Sequence, residues 1–189
     1  MSKKMTGIIL AGGLSKRFGS PKAFAMHNGI PFYQYSIQAL APFCDKIIIV
    51  TRPELENRFH VDKQFVHIIH DTEQYIGQGP LAGIHAAMGK TNGEWYIVLP
   101  IDVPFVKSWV FEELKKSITQ NKEAIVPLVN GKAQPLIAIY NYSIKGKIEK
   151  QLENEKRSLH NLLEKIKVEY IVFQDWEPFQ NINKVEDLK

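Results

Sequence analysis

Cysteine is almost missing: Cys44 is the only one in 189 residues. No internal disulfide and no cysteine-based zinc cluster can form, and a reducing compartment is expected. Long hydrophobic runs are missing too. No stretch approaches the roughly 20 apolar residues of a membrane helix. The basic start Met1-Ser2-Lys3-Lys4-Met5 leads into an apolar run that Gly12-Gly13 interrupts too soon for a signal segment, so a cytoplasmic chain is expected. Neither sign of charge dominates. A net charge of +4 and a pI near 9.0 suit an anionic small molecule and do not demand nucleic acid. The six histidines (His27, His60, His67, His70, His85, His160) form no H-x-x-x-H or H-E-x-x-H pattern and are read as packing or surface residues. No serine sits in a G-x-S-x-G elbow, and Cys44 has no supported nucleophilic partner. Repeats, low-complexity tracts and linker-like segments are absent.

What is present is an ordinary globular balance, 44% apolar and 23% charged, enough for one domain with a substantial core. Strand-like and helix-like runs alternate. Thr6–Ala11 is a strand, and Phe32–Leu40 is a helix that Pro31 starts. Lys46–Val50 is an apolar strand of the kind buried on both faces of a parallel sheet. A short helical piece follows Pro53, then a strand over Gln64–His70 and a helix over Pro80–Met88. Trp95–Leu99 is the fourth strand, and Val110, Phe111, Leu114 and Ile118 mark a helix face. Ala124–Val129 and Lys132–Tyr140 flank Asn130-Gly131, a strong hairpin signal. Ile144, Ile148 and Leu152 mark one helix. Leu159, Leu162, Leu163 and Ile166 mark another, capped by Ser158. Val168–Phe173 is a last strand and Val185–Leu188 a terminal helix. The order predicts an α/β, single-domain, Rossmann-like doubly wound sheet, mostly parallel, with helices on both faces and a β-hairpin insertion.

Ligands bind at the carboxyl ends of parallel strands in such sheets. The loops Gly12–Lys22, Asp71–Gly83 and Pro100–Val106 are therefore expected to face one crevice. In the first, Gly12 and Gly13 break the Ile8-Ile9-Leu10 strand, and small residues there permit a tight turn and a close approach of backbone to ligand. Successive N–H groups, the guanidinium of Arg17 and the ammonium of Lys22 suit a polyphosphate. The alternative is a flexible glycine turn with two solvated basic residues. The spacing is neither a Walker A loop nor G-x-G-x-x-G. Asp102, between Pro100 and Pro104, places a carboxylate at a strand end. Facing a triphosphate it needs a cation such as Mg²⁺ between them; otherwise it is a turn-forming aspartate. Asp71 is either a nucleotide contact or a helix cap. Gly77-Gln78-Gly79-Pro80-Leu81-Ala82-Gly83 opens a helix whose N-terminus, near Gly79, favours polar or anionic groups, or else packs that helix close to the sheet. Asn181 and Asn183 are metal or phosphate ligands, or turn residues. Arg157 either reaches an anionic substrate or is solvated.

Several stretches, in order, resemble the molybdenum cofactor guanylyltransferases of the MobA type, nucleotidyltransferases with a Rossmann-like fold. They are Leu10–Lys22, Gly79–Ile84, Asp102 in Ile101–Val106, Gln134-Pro135-Leu136, Arg157-Ser158-Leu159-His160, and Asn181-Ile182-Asn183 before Glu186-Asp187-Leu188. The resemblance spans 1–189 as one domain, with 1–107 the nucleotide-binding half and 108–189 the acceptor-binding half. It implies transfer of GMP from GTP to molybdopterin, release of pyrophosphate, Mg²⁺ as cofactor, and molybdenum-cofactor assembly proteins as partners. It implies that Leu10, Ala11, Gly12 and Gly13 bind nucleotide through the backbone, with Gly79 alongside. Lys22 would hold phosphate, Asp71 would contact the nucleotide, and Asp102 would bind GTP and metal. The catalytic set is then Asp102, Lys22 and Arg17, with Asn181, Asn183 and Arg157 supporting acceptor or metal. Phe18 stands where methionine is usual, Ser20-Pro21 where an aspartate often precedes the lysine, and Lys184-Val185 where Thr-Pro is usual. A related cytidylyltransferase, acting on molybdopterin or another phosphorylated acceptor, and a non-catalytic GTP-binding accessory protein are the alternatives. Base choice and pyrophosphate release separate the three.

Overall fold

The structure, a computed structural model, describes residues 5–15 and 18–187; Arg17, and Leu188 of the expected terminal helix, lie outside the described residues. The strands are β1 (Met5–Leu10), β2 (Met26–His27), β3 (Ile30–Pro31), β4 (Cys44–Val50), β5 (Val66–Ile69), β6 (Trp95–Pro100), β7 (Ala124–Val129), β8 (Lys132–Ala133), β9 (Ala138–Asn141) and β10 (Val168–Phe173). The helices are α1 (Phe32–Leu40), α2 (Pro80–Lys90), α3 (Ser108–Lys116), α4 (Lys145–Glu153) and α5 (Leu159–Leu163). Among the described residues no helix is long and apolar enough to cross a membrane.

The main sheet runs β10-β7-β9-β6-β1-β4-β5, with β8 attached to β7. It is parallel except where β9 lies antiparallel between β6 and β7 and where β8 meets β7. The doubly wound fold expected from the alternating pattern is present, with one change. The hairpin is not an insertion beside the sheet, because its second arm supplies the antiparallel strand β9. Asn130 and Gly131 both have positive φ (49° and 74°), so they make the predicted tight turn. The second arm, expected as one strand over Lys132–Tyr140, is split at Gln134-Pro135-Leu136, where Pro135 has no N–H for a ladder. Smaller differences have local causes. Pro31 ends β3 and sits just before α1 with extended ψ of 149° rather than inside the helix. Gln64 and Phe65 belong to a turn made by Asp62, whose carboxylate accepts the Gln64 N–H at 2.9 Å and whose carbonyl accepts that of Phe65 at 3.1 Å. Val185–Asp187 is a single 3-10 turn instead of a terminal helix.

Alternation along the strands divides the core. Ile9, Ile47, Ile49, Ile97 and Leu99 face α1 and α3, against Phe32, Leu40, Phe111 and Leu114. Ile8, Ile48, Val98 and Tyr140 face α2, α4 and α5, against Leu81, Ile84, Met88, Ile148 and Leu152. Both faces are covered, which is why Lys46–Val50 reads as an unbroken apolar run. Each such aliphatic side chain contributes about 1.5–3 kcal/mol on burial.

Register positions the loops. Leu10 pairs with both Val50 and Pro100, and Val50 pairs with Ile69. The loops after β1, β4, β5 and β6 therefore leave the sheet at one level. The Asn130-Gly131 turn, the segment after β10 and the α4–α5 turn carrying Arg157 reach the same edge.

The opposite edge is closed by Glu123. Its carboxylate accepts from Lys147 Nζ at 2.8 and 2.9 Å, from the Lys167 N–H at 3.0 Å and from Ser143 Oγ at 3.4 Å. Burial would raise its pKa, but Lys147, Lys167 and Ser143 together hold it below its usual 4.5. A carboxylate depressed by folding stabilises above its unfolded pKa, and that stability is lost as pH falls through the folded value. Glu123→Gln is expected to lower the melting temperature at neutral pH. The deficit should shrink in solutions more acid than about pH 4.5. An equal deficit at acid pH in calorimetry would remove the charged contacts as its cause.

Candidate functional site

The loop after β1 begins with two anchors. The Ala11 N–H donates to the Val50 carbonyl at 2.8 Å, and Thr51 Oγ1 donates to the Ala11 carbonyl at 3.4 Å. Gly12 and Gly13 are exposed, and a Cβ on either would meet nothing within 4 Å. Neither has positive φ. The expected tight turn lies instead at Ser15, where φ is 48° and the carbonyl accepts the Phe18 N–H at 2.9 Å. The two glycines keep a bare strip of backbone open.

Lys22 is the buried cation of this edge, its side chain only 10% exposed. Its backbone N–H donates to Ser15 Oγ at 3.3 Å. Its Nζ donates to Asn183 Oδ1 at 3.0 Å and lies 3.6 Å from Asp102 Oδ2. Three predicted residues from distant parts of the chain thus meet. Backbone bonds hold them there. The Ile101 N–H donates to the Leu10 carbonyl at 3.0 Å, and the Ile182 N–H donates to the Asp102 carbonyl at 2.7 Å. Asp187, which the sequence reading gave no role, pins the closing segment: its Oδ2 accepts the N–H groups of Asn183 and Lys184 at 2.8 and 2.9 Å. Those two bonds, Asn183's first, hold the Asp187 carboxyl below its ordinary pKa. Asn181 and Arg157 are exposed, and among the described residues neither bonds to this group.

Asp71 is half-buried on the other side of β1. Burial raises its pKa, against the Gly77 N–H that it accepts and the neighbouring His70. It caps no helix; Thr72 precedes the 3-10 turn Glu73–Tyr75. Gly79 has φ 80° and ψ −161°, a conformation essentially restricted to glycine, which lets Pro80 start α2 at this edge. The first N–H groups of α2 and its dipole then favour negative charge. Gly83, one turn on, packs the helix against the sheet. A Cβ there would lie 2.8 Å from Leu10 Cδ2 and 3.7 Å from Asp71 Oδ1. The close packing of this helix on the sheet, one of the two roles expected for the stretch, is therefore present. Gly83→Ala is expected to cost about 1–3 kcal/mol by overpacking against Leu10 Cδ2. Gly146→Ala, where a Cβ meets nothing within 4 Å, is the control in urea unfolding.

Among the described residues no three of His, Cys, Asp and Glu cluster as a metal site. The oxygen atoms beside Lys22 Nζ are those of the Asp102 carboxylate and Asn183 Oδ1. One carboxylate and one amide fit a hard divalent ion that takes the rest of its shell from water or a ligand. The histidines stay out of it. His70, for example, bonds Thr51 O and Glu56 Oε2, each at 3.0 Å. Burial, helped by Asp45, pushes the Cys44 thiol up to about 12, so it is no nucleophile.

Residues 7–169 match the family described as the MobA-like NTP transferase domain. A Bacillus licheniformis protein named probable molybdenum cofactor guanylyltransferase is 40% identical over 96% of this chain and 93% of its own. The crystal structure of molybdopterin-guanine dinucleotide biosynthesis protein A from Archaeoglobus fulgidus superposes with a TM-score of 0.80 at 28% identity, covering 97% of this chain and 95% of that one. The 2-C-methyl-D-erythritol 4-phosphate cytidylyltransferase of Thermus thermophilus shares the fold, with a TM-score of 0.74 at 14% identity over 98% and 95% of the two chains.

Proposed function

The chain belongs to the MobA-like NTP transferase family and is a nucleotidyltransferase, and from that premise we propose that it transfers GMP from GTP to molybdopterin. The observation that carries this reading is the meeting of Lys22, Asp102 and Asn183 beside an open glycine backbone. In the reaction a terminal phosphate oxygen of the acceptor forms a bond to the α-phosphorus of GTP. The bond from that phosphorus to the bridging oxygen breaks, and pyrophosphate leaves with the electron pair. A phosphate is already nucleophilic, so the demands are alignment and charge neutralisation.

Each residue then has a task. Leu10, Ala11, Gly12 and Gly13 bind nucleotide through the backbone, with Gly79 and the start of α2 beside them. Asp71 contacts the nucleoside. Lys22, with Arg17, holds phosphate oxygens. Asp102 and Asn183 would hold Mg²⁺, which when bound neutralises charge between carboxylate and triphosphate. Asn181 and Arg157 serve the acceptor. Residues 1–107 act as the nucleotide half and 108–189 as the acceptor half. The enzyme works in the cytoplasm and passes its product to molybdenum-cofactor assembly proteins.

Pyrophosphate release with molybdopterin and Mg²⁺, comparing GTP with CTP, tests this. Release with GTP alone is expected. Release with CTP alone would make the enzyme a cytidylyltransferase, a chemistry its shared fold with such an enzyme accommodates. No release with either would overturn the acceptor.

A further inference from the structure

Beside the Lys22 group lies a cleft of about 690 Å³ between the turn after β6 and the segment after β10. Its chemistry is opposite to that of an anion site. Four carboxylates line it, Asp175, Glu177, Glu186 and Asp187, against one ammonium, Lys107, in a chain whose net charge is +4. Two of the carboxylates are spent on backbone: Asp175 accepts the Glu177 N–H at 3.0 Å, and Asp187 holds Asn183 and Lys184. Glu177 and Glu186 form no ion pair among the described residues. Two tryptophans share the cleft. Trp109 is 42% exposed, its ring tilted 44° to that of Phe173 with centroids 5.8 Å apart, and Trp176 is 50% exposed. Half-exposed tryptophan is costly to leave in water and is enriched at interfaces. A planar cation satisfies both features, since a guanidinium stacks on an indole face while its N–H fork meets a carboxylate.

We propose that this cleft docks an arginine-bearing segment of a partner protein, through Trp109 and Trp176 with Glu177 and Glu186. The docking is independent of which nucleotide the enzyme uses. It places the partner next to Asp187, and so within two contacts of Lys22.

The probe is a capped peptide of four Gly-Arg repeats, with a Gly-Lys counterpart, titrated at low salt into the full chain while tryptophan fluorescence is followed. A saturable change is expected with arginine, clearly weaker with lysine, and weaker by about tenfold in the Glu177→Gln/Glu186→Gln variant. Nucleotidyl transfer by that variant is expected to be unchanged, which separates loss of docking from loss of the reaction site. No saturable change, equal binding of the two peptides, or equal binding by the variant would each overturn the proposal. So would sedimentation showing a second copy of the chain in the cleft, or a parallel fall in transfer activity.

Discussion

Replacing Asp102 by alanine is expected to lower turnover about 100- to 1,000-fold, the loss typical when one preorganised electrostatic contact is removed. Folding should survive it. The tie between this turn and the closing segment is made by the Asp102 carbonyl, which alanine keeps. The carboxylate itself is 29% exposed and sits 3.6 Å from Lys22 Nζ, so its own share of stability is small. The informative part is the split between kcat and KM. Without Asp102, Lys22 keeps Asn183 as partner and faces a bound phosphate with less competition. GTP should therefore bind as well or better while the chemical step fails. If Asp102 holds the metal as proposed, the Mg²⁺ concentration for half-maximal rate should rise. A variant with normal turnover and normal Mg²⁺ dependence would take Asp102 out of the site. A variant with weak GTP binding and unchanged kcat would make it a ground-state contact only.

Where the pattern was strong, the sequence was enough to place the fold. Phe32–Leu40 and Val168–Phe173 match the observed elements end to end, because apolar spacing and flanking turn residues agree there. Lys132–Tyr140 failed because one proline outweighed an otherwise strand-like run. Placing its second half between β6 and β7 needed the whole topology. The positive φ at Ser15 was hidden for another reason: glycine is the usual residue in that conformation, and the neighbouring Gly12-Gly13 drew the expectation. The meeting of Lys22 and Asp102 was legible, because the loops that carry them follow parallel strands and were expected to face one crevice. Asn183 was legible only as a turn residue or a ligand, with nothing local to choose. Its partner is 161 positions away, and only the return of the chain after β10 joins them. Asp187 carries the same lesson: it accepts N–H groups three and four residues before it, the reverse of the capping pattern that residue type signals.

Lys22→Met is the second large effect, expected to lower kcat/KM by about 1–3 kcal/mol, the range for hydrogen bonds to charged groups, or roughly 5- to 150-fold. Methionine keeps an apolar stem in a space that is nine-tenths buried, so the loss reports the charge more than the packing. Arginine should not rescue it. A rigid planar fork cannot occupy a pocket shaped for a point donor that meets Asn183 Oδ1 at 3.0 Å. Asn183→Ala separates aim from charge. If Asn183 acts on phosphate only by holding Lys22, the double variant should be no worse than Lys22→Met alone, a coupling measurable against the sum of the two single losses. If Asn183 also supplies an oxygen to the metal, the double variant should be worse, and its Mg²⁺ requirement should exceed that of either single variant. The closing segment stays in place in both cases, because Asp187 binds the backbone of residue 183 and not its side chain. Additive losses with an unchanged Mg²⁺ requirement would mean that Lys22 and Asn183 act apart, and the contact between them would then carry no catalytic weight.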